Sequence, residues 1–582
     1  MKDDLQAEIR TLQSSIEAAR GVQKVDLLLR GGTLVNVLSG EMYETDVAIH
    51  DGWVVGLGEG YEGREVVDCS GKWIAPGFID GHMHVESTLV TVPEFARAAL
   101  SRGTVAAILD PHEIANVHGI EGILYILESR KGIPLKAFVM ASSCVPATHM
   151  ETAGAELSAE DLVPLFDEEG VIGLAEVMNF PGVVFGDEGV LAKVVAAQRD
   201  NVVIDGHAPG LSGRDLNAYI AAGVGSDHEC TTLEEAREKL RKGMHVMIRE
   251  ASTAKNLETL LPLVTPANER RCCFVTDDRH PSDLLTEGHV DHAVRKAIRL
   301  GLDSLIAYRM ASLNTAEWFR LDEQGFGAVA PGFRADVLVL DDLEAVRIER
   351  VYVGGELVAQ DGEVLIDLPD APSTLPSSVN VNWERFPGFR IPAEGERVKV
   401  IEIIPGQIVT GRGVDEARIE NGEVVADPVR DLLKMAVVER HGKGSGVGLA
   451  LVRGFGLKDG AIASSVAHDS HNVVIAGVND DDMRRALEAI VEMDGGLVVV
   501  QGGEVHAALA LPIAGLMSDR PLHEVRNAVD ALHDAYHRLG GELSDPFMQL
   551  SFLALPVIPT LKLTDKGVVD VEKFEIVSLW EG

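Results

Sequence analysis

The chain has 582 residues, of which 46% are hydrophobic and 25% charged, a composition typical of a soluble globular protein with about two to four domains. Its 91 acidic residues outnumber 52 basic ones and give a formal net charge of -39, which disfavours nucleic acid and anionic membranes as partners. No apolar run reaches the roughly 18 residues of a membrane span, and no apolar signal region follows the first residues, so we expect a cytoplasmic protein.

The first predicted element is an amphipathic helix within residues 1–22. Leu5, Ile9, Leu12 and Ile16 recur there at helical spacing among charged residues. Residues 23–72 then change to short alternating strands separated by glycine turns, and similar strands return at 328–368. This pattern predicts one composite β-sandwich built from both flanks of a central domain, with the helix as a packing or subunit-contact element.

The central region, residues 73–327, alternates apolar runs with helix-patterned segments. This order is typical of βα units around a parallel sheet, and eight units in about 250 residues predict a (β/α)8 barrel. The eight runs are 73–80, 105–110, 135–141, 172–177, 201–206, 224–228, 245–249 and 272–277. The fold class is therefore α/β.

The first of these runs ends in a candidate metal site. Side chains alternate along a strand, so His82 and His84 point the same way and can hold one ion between them. Imidazole suits several divalent metals, but two histidines are too few ligands to close a site. The alternative is that both are ordinary core histidines.

Polar residues also follow most of the later strands, at the end of a barrel where catalytic groups gather. Four histidines and two carboxylates can hold two divalent ions, with one carboxylate bridging them. The candidate ligands are His82, His84, Glu176, His207, His228 and Asp277.

Beyond a proline-containing linker, residues 377–582 alternate strands and helices and predict an additional C-terminal α/β domain. A dense polar turn in it contains His468 and His471. A turn needs only one or two polar residues, so this segment is a candidate lid over the barrel mouth that contacts the substrate. The alternative is a solvated turn.

Three motifs carry a resemblance to a known family, and the resemblance extends over nearly the whole chain. Together they resemble the bacterial adenine deaminases of the amidohydrolase superfamily; the motifs are PGFIDGHMHVES at 76–87, DPHEIANVHG at 110–119 and FVTDDRHP at 274–281. Hydantoinases and dihydroorotases usually carry a carboxylated lysine where this chain has Glu176, which favours the deaminases. N-acetylglucosamine-6-phosphate deacetylases also use a glutamate ligand and are an alternative.

The resemblance implies hydrolytic deamination of adenine to hypoxanthine and ammonia, in purine salvage, by a hydroxide held between two divalent metal ions. Mn or Fe is expected, with Zn as an alternative, and a homodimer or higher homo-oligomer is expected. Asp277 is the candidate proton carrier and Glu113 the candidate acid at N1; Glu86, Asp278, His468 and His471 are candidates for binding the purine. Alternatives are another amidohydrolase reaction, such as cyclic-amide hydrolysis or deamination of a different base, and a barrel whose metal only holds the fold.

Overall fold

The computed structural model describes residues 2–372, 375–444 and 446–581, with side chains from residue 5 onward. Met1 and Gly582, the ends of the predicted first and last segments, lie outside the described residues. Helix α1 (Lys2–Ala19) leaves Leu5, Leu12 and Ile16 exposed and packs through Ala18 on the first strand. Among the described helices, none combines the length and apolar character needed to cross a membrane.

A nine-stranded sheet is assembled from both flanks of the central domain. Its strand order is β17-β16-β15-β14-β5-β1-β2-β3, with β4 beside β1. The sheet curls around its own core, and β3 at one edge meets the segment just before β14. Trp53 forms an antiparallel backbone bridge with Arg334 there, and the Val54 N–H donates to the Phe333 carbonyl at 2.9 Å. Its strands are β1 (Val25–Asn36), β2 (Glu41–His50), β3 (Trp53–Leu57), β4 (Gly63–Asp68), β5 (Trp73–Pro76), β14 (Val337–Asp342), β15 (Arg347–Val353), β16 (Glu356–Gln360) and β17 (Glu363–Val364).

The structure divides the first predicted barrel strand in two. Residues 73–76 form β5, which pairs with β1 and β14 in the curled sheet, and only the residues after Gly77 enter the barrel. The flanking sheet therefore continues past the predicted boundary at residue 72. This short strand connects the sheet directly to the strand that carries His82.

Eight parallel strands of the described chain form the barrel in chain order. Five lie in one sheet and three in another. The sheets join where the Gly225 N–H donates to the Ile204 carbonyl (3.3 Å) and the Asp277 N–H to the His82 carbonyl (2.9 Å). The strands are β6 (Phe78–Met83), β7 (Thr104–Leu109), β8 (Lys136–Ala141), β9 (Val171–Val177), β10 (Val203–Gly206), β11 (Ser226–Asp227), β12 (His245–Arg249) and β13 (Cys272–Val275).

Helices surround this barrel, so its strands are buried on both faces. Alternate strand residues such as Ile79, Ile108 and Met140 pack inside it, while their neighbours pack against the helices. The helices are α2 (Val92–Ser101), α3 (His112–His118), α4 (Ile120–Ser129), α5 (Ala159–Leu162), α6 (Phe180–Phe185), α7 (Glu188–Arg199), α8 (Gly213–Ala221), α9 (Leu233–Arg241), α10 (Leu257–Leu260), α11 (Pro281–Thr286), α12 (Val290–Arg299), α13 (Ser304–Met310) and α14 (Leu313–Trp318).

The C-terminal domain is built on an eight-stranded sheet of order β20-β19-β24-β23-β26-β25-β27-β28, with two three-stranded sheets beside it. The strands are β18 (Ile391–Pro392), β19 (Arg397–Ile403), β20 (Thr410–Glu416), β21 (Ile419–Glu420), β22 (Glu423–Val424), β23 (Leu433–Val438), β24 (Val447–Arg453), β25 (Ala461–Ser464), β26 (Val473–Gly477), β27 (Gly496–Gln501), β28 (Glu504–Ala510), β29 (Leu561–Thr564), β30 (Gly567–Asp570) and β31 (Glu575–Val577). Its helices are α15 (Asp480–Glu492), α16 (Leu522–Arg538) and α17 (Pro546–Phe552).

Polar contacts dock this domain on the loops that follow the barrel strands. The Asn472 side-chain amide donates to the Thr152 carbonyl, and the Thr152 N–H donates to the Asp565 carboxylate, both at 2.9 Å. His280, three residues after Asp277, pairs with Asp545 at 2.7 Å. The C-terminal domain therefore lies over the end of the barrel that carries the candidate ligands.

The His280–Asp545 pair also fixes the start of α17, because Asp545 caps that helix by accepting the Met548 N–H at 3.1 Å. Burial opposes charge on both side chains, but their mutual attraction prevails. It raises the pKa of His280 above its ordinary value and lowers the pKa of Asp545 to about 2.

We expect Asp545→Asn to weaken the docking in a pH-dependent way. Asparagine retains the helix cap but loses the attraction to protonated His280, on the order of 1 kcal/mol. That attraction is complete below the ordinary histidine pKa of about 6.5 and is lost as pH rises through the raised pKa of His280. The Tm difference between wild type and variant, followed by calorimetry, should therefore be larger at pH 6 than at pH 9. Asp519→Asn, a substitution at an exposed site, is the control. A Tm difference that does not change with pH would contradict a role of the His280–Asp545 pair in docking.

Candidate metal centre and substrate pocket

Two histidines at the end of β6 face each other through nitrogen lone pairs. His82 Nδ1 lies 3.0 Å from Asp205 Oδ2, and His84 Nδ1 lies 2.9 Å from the Asp110 carbonyl. Because both oxygens are acceptors, the hydrogen-bond network places each ring proton on Nδ1. In the neutral rings the two Nε2 atoms then carry lone pairs, and they are 3.2 Å apart. That is a separation that two nitrogens bonded to one ion at about 2.1 Å adopt.

Two carboxylates complete the cluster around these nitrogens. Glu176, on β9, places Oε2 at 2.6 Å from His207 Nδ1 and 3.3 Å from His228 Nε2. Its Oε1 lies 3.5 Å from His84 Nε2, so the carboxylate lies between the two histidine pairs. Asp277 Oδ1 lies 3.1 Å from His84 Nε2, again bringing two acceptors together.

The electrostatics keep both carboxylates ionised. Burial opposes the charge on Glu176, but His207 and His228 hold its pKa well below its ordinary value. Burial likewise opposes the charge on Asp277, and the Arg249 guanidinium holds its pKa well below the ordinary range. Four imidazoles and two ionised carboxylates, with the Nε2 atoms of His82 and His84 directed towards each other, fit divalent metal ions.

A surrounding set of ion pairs fixes these ligands. Arg249 Nη1 donates to Asp277 Oδ2 at 2.7 Å and also binds Glu229. Behind the centre, Lys239 pairs with Asp227 at 3.0 Å, and Asp227 accepts the Ala208 N–H at 2.8 Å. This second pair connects the loops that carry His207 and His228. Such partners orient metal ligands and raise their affinity.

Asp205 and Glu229 were missed from the sequence. Asp205 lies on β10 two residues before His207, so its side chain points to the same side as that histidine. Glu229 directly follows His228. Both carboxylates lie within two residues of a candidate histidine ligand, and this spacing could have identified them as residues that hold the ligands in place.

The candidate centre opens into a pocket that the C-terminal domain completes. Asp278, His468 and Asp469 line it together with the candidate ligands His84, Glu176, His207, His228 and Asp277. Met178, Ala251 and Ala254 are apolar lining residues from the barrel, and Ile408, Phe552, Leu555 and Ile558 come from the C-terminal domain. The polar turn at 468–471 thus lies at the barrel mouth, whereas the apolar residues at 552–558 had no recognisable sequence signal.

Glu113, Glu86 and His471 lie directly behind the pocket lining. Glu113 Oε1 lies 3.6 Å from His468 Nδ1 and 3.1 Å from the Ser87 hydroxyl, which also donates to Asp278 at 2.5 Å. His471 Nε2 is 3.9 Å from Glu113 Oε2. The turn at residues 468–471 of the C-terminal domain therefore contacts Glu113 through its two histidines.

Glu86 and Glu113 have different hydrogen-bond partners. Glu86 Oε1 accepts the Ile114 N–H at the start of α3 (3.1 Å), and burial together with Glu113 raises the pKa of Glu86 to about 8. Burial raises the pKa of Glu113 as well, against the opposing charge of His468. Both carboxyls are thus biased towards the protonated form, but only Glu113 contacts the pocket-lining histidine.

The chain matches the models of two protein families. Residues 73–358 match the model of the Amidohydrolase family, and residues 407–575 match the adenine deaminase C-terminal domain. Among solved structures, dihydropyrimidinase from Brevibacillus agri aligns with a TM-score of 0.45 at 15% identity, covering 58% of this chain and 96% of that one.

The curated relatives specify the family further. The chain is 50% identical to an adenine deaminase of Desulfatibacillum aliphaticivorans over 97% of its own length and 99% of that protein. It is 50% identical to an adenine deaminase of Cereibacter sphaeroides over 98% of its length and 100% of that protein. The chain therefore belongs to the adenine deaminase family, and the family and fold class predicted from the sequence are confirmed.

Proposed function

We propose that the chain hydrolyses adenine to hypoxanthine and ammonia, as a purine-salvage enzyme of the cytoplasm. The observation that carries this proposal is the buried cluster of four imidazoles and two carboxylates that opens into a pocket, in a chain half identical to curated adenine deaminases. The ions would be two divalent metals, Mn or Fe, with Zn as an alternative. His82, His84, Glu176, His207, His228 and Asp277 would hold them.

Asp277 is suited to move the proton of the attacking water. Divalent ions held by these residues would lower the pKa of a bound water from about 15.7 to about 7 and so supply a nucleophile at neutral pH. Arg249 holds Asp277 Oδ2 and leaves Oδ1 directed at the cluster. Asp277 accepts one water proton as the oxygen adds to C6 and delivers it to the amino group. The C6–N bond then breaks to release ammonia, while the C6 hydroxyl returns its proton to the acid that protonated N1 and becomes the carbonyl of hypoxanthine.

Glu113 is suited to act as the acid at the ring nitrogen N1. Its raised pKa favours a protonated carboxyl. Because Glu113 lies behind the lining, it would supply the proton through His468, which lines the pocket and lies 3.6 Å from it. Asp278 lines the pocket and is the alternative donor, and both share the Ser87 hydroxyl. Glu86 is the weaker candidate, because it is bound to the backbone of α3.

A homo-oligomer is the assembly we propose. The exposed apolar residues Leu5, Leu12 and Ile16 on α1 support it, because a second subunit would remove them from water.

The substrate assignment is tested by ammonia release. Protein loaded with Mn or Fe should release ammonia from adenine and convert it to hypoxanthine, while guanine, cytosine, adenosine and hydantoin serve as comparison substrates. Release from guanine or cytosine alone, or opening of hydantoin alone, would instead support the alternative of another amidohydrolase reaction.

We expect Glu176→Gln to lose metal and activity together while the barrel stays folded. The substitution removes a charged ligand from between the two histidine pairs, so bound metal should fall from two equivalents to about one, and turnover about 100-fold. Metal analysis and ammonia assays on the same preparation measure both quantities. Glu188→Gln, on an exposed helix start, is the control. Two equivalents retained with full activity would remove Glu176 from the site.

His468→Ala and His471→Ala should lower activity on adenine about tenfold without lowering metal content. The physical reason is that both rings face Glu113 from the C-terminal domain and neither belongs to the ligand cluster. Steady-state kinetics and metal analysis distinguish the two effects, with the exposed His506→Ala as control. If both variants keep wild-type kinetics, the turn has only a structural role.

A further inference from the structure

An outer groove lies next to the pocket, beyond the polar turn at 468–471. Asp469, in that turn, lines the pocket. Glu151, in the loop after β8, lines the groove, which has a volume of about 780 Å³. Asn472, directly after the turn, donates its side-chain amide to the Thr152 carbonyl at 2.9 Å, so the turn and this loop are in contact. The two carboxylates therefore belong to neighbouring cavities, one inside the protein and one at its surface.

Each of these carboxylates has one oxygen in contact with a polar group and one oxygen without a hydrogen-bond partner in the described chain. Asp469 Oδ1 lies 3.6 Å from His112 Nε2 and 3.6 Å from His468 Nδ1, whereas Oδ2 is buried and unpartnered among the described residues. Glu151 Oε1 accepts the Thr148 N–H at 3.3 Å, and within the same residues its Oε2 is also buried and unpartnered. Asp469 is 1% exposed and Glu151 3%. Buried carboxylate oxygens are rarely left in this condition, so a ligand is expected beside them.

The charges of the two carboxylates indicate that this ligand is a cation. Burial opposes the charge on Asp469, but His112 holds its pKa well below its ordinary value. Burial and the charge of Asp469 raise the pKa of Glu151 to about 8, with the neighbouring Ser470 hydroxyl opposing that shift. A cation beside the two unpartnered oxygens would remove the repulsion between them.

The lining of the groove also favours cations. Both of its lysines, Lys193 and Lys566, donate to backbone carbonyls, at 2.7 and 2.8 Å. Among the described residues, four carboxylates line the groove against these two lysines: Glu151, Glu156, Glu160 and Asp187. In a chain with a formal net charge of -39, such a lining attracts cations rather than anions.

Adenine deamination would produce a small cation next to this groove. Ammonia released at neutral pH takes up a proton from the solvent and becomes ammonium. Ammonium donates hydrogen bonds and is accepted by carboxylate and hydroxyl oxygens, as a lysine ammonium is. A route lined by such oxygens lets the smaller product leave separately from the base.

We propose that Asp469 and Glu151 form a binding site for ammonium on an exit route from the pocket to the groove, with the Ser470 hydroxyl as a neutral ligand. This inference rests on the proposed function, which supplies the ammonium. It assigns a role to two buried carboxylates that belong neither to the candidate metal ligands nor to the proposed proton carriers.

Thallium(I), a heavy monovalent cation close in size to ammonium, tests the site directly. Crystals of the Mn-loaded protein soaked in thallium acetate should show an anomalous peak between Asp469 Oδ2 and Glu151 Oε2, and excess ammonium acetate should displace it. Glu151→Gln should lose the peak, because the amide carries no charge, whereas Glu151→Asp should retain it. No peak in the wild type, or a peak that excess ammonium leaves in place, would overturn the proposal.

Steady-state kinetics test the exit role. Glu151→Gln should lower kcat for adenine about fivefold with little change in KM, because it slows the departure of a product and leaves the binding of the base unchanged. Metal content should stay the same, and added ammonium acetate should inhibit the variant less than the wild type. Glu151→Asp should restore part of kcat, and Glu41→Gln, at an exposed position on β2, is the control.

Unchanged kcat together with unchanged inhibition by ammonium in Glu151→Gln would show that no ammonium leaves by this route and would overturn the proposal. A wild type that releases no ammonia from adenine would instead contradict the proposed function. The thallium experiment needs no substrate, so the two failures are distinguishable.

Discussion

The structure depends on one electrostatic constraint at the end of β6. Asp205 and the Asp110 carbonyl hold the ring protons of His82 and His84 on Nδ1, so two lone pairs face each other at 3.2 Å. Glu176 and Asp277 add negative charge to the same space. An arrangement of acceptors facing acceptors needs positive charge between them. The surrounding ion pairs, such as Arg249 with Asp277, then serve to fix these ligands in place.

The C-terminal domain uses two buried cations to bring chain segments to the barrel mouth. Arg440 donates to the carbonyls of His471 and Ala514 and to the Ser378 hydroxyl, and burial lowers its pKa to about 9. Lys562 likewise donates to the carbonyls of Ile408 and Phe552, two residues of the pocket lining. In both cases the acceptors are neutral, so the cations order the backbone without neutralising a charge. The site is therefore composite: the barrel supplies the candidate ligands and acids, and the C-terminal domain supplies residues that cover them.

The sequence predicted most of the barrel because strand periodicity and chain order are local signals. His82 and His84 are two residues apart on one strand, and Glu176, His207, His228 and Asp277 each lie at or just after a strand end, so the predicted ligands could be chosen from local pattern. Residues 73–76 were assigned to the barrel because an apolar run does not reveal which sheet its neighbours belong to. The contribution of residues 552–558 to the pocket could not be predicted, because it arises only from a contact between domains. The roles of the individual site residues remain predictions.

The central claim is that the cluster is a preformed site for two metal ions. Anomalous diffraction from crystals grown with Mn, recorded at the Mn absorption edge, tests it most directly. The account predicts two peaks, one between the Nε2 atoms of His82 and His84 and one beside His207 and His228, with the Glu176 carboxylate between them. A single peak away from Glu176, or a metal bound instead by Glu113, His468 and His471, would contradict it.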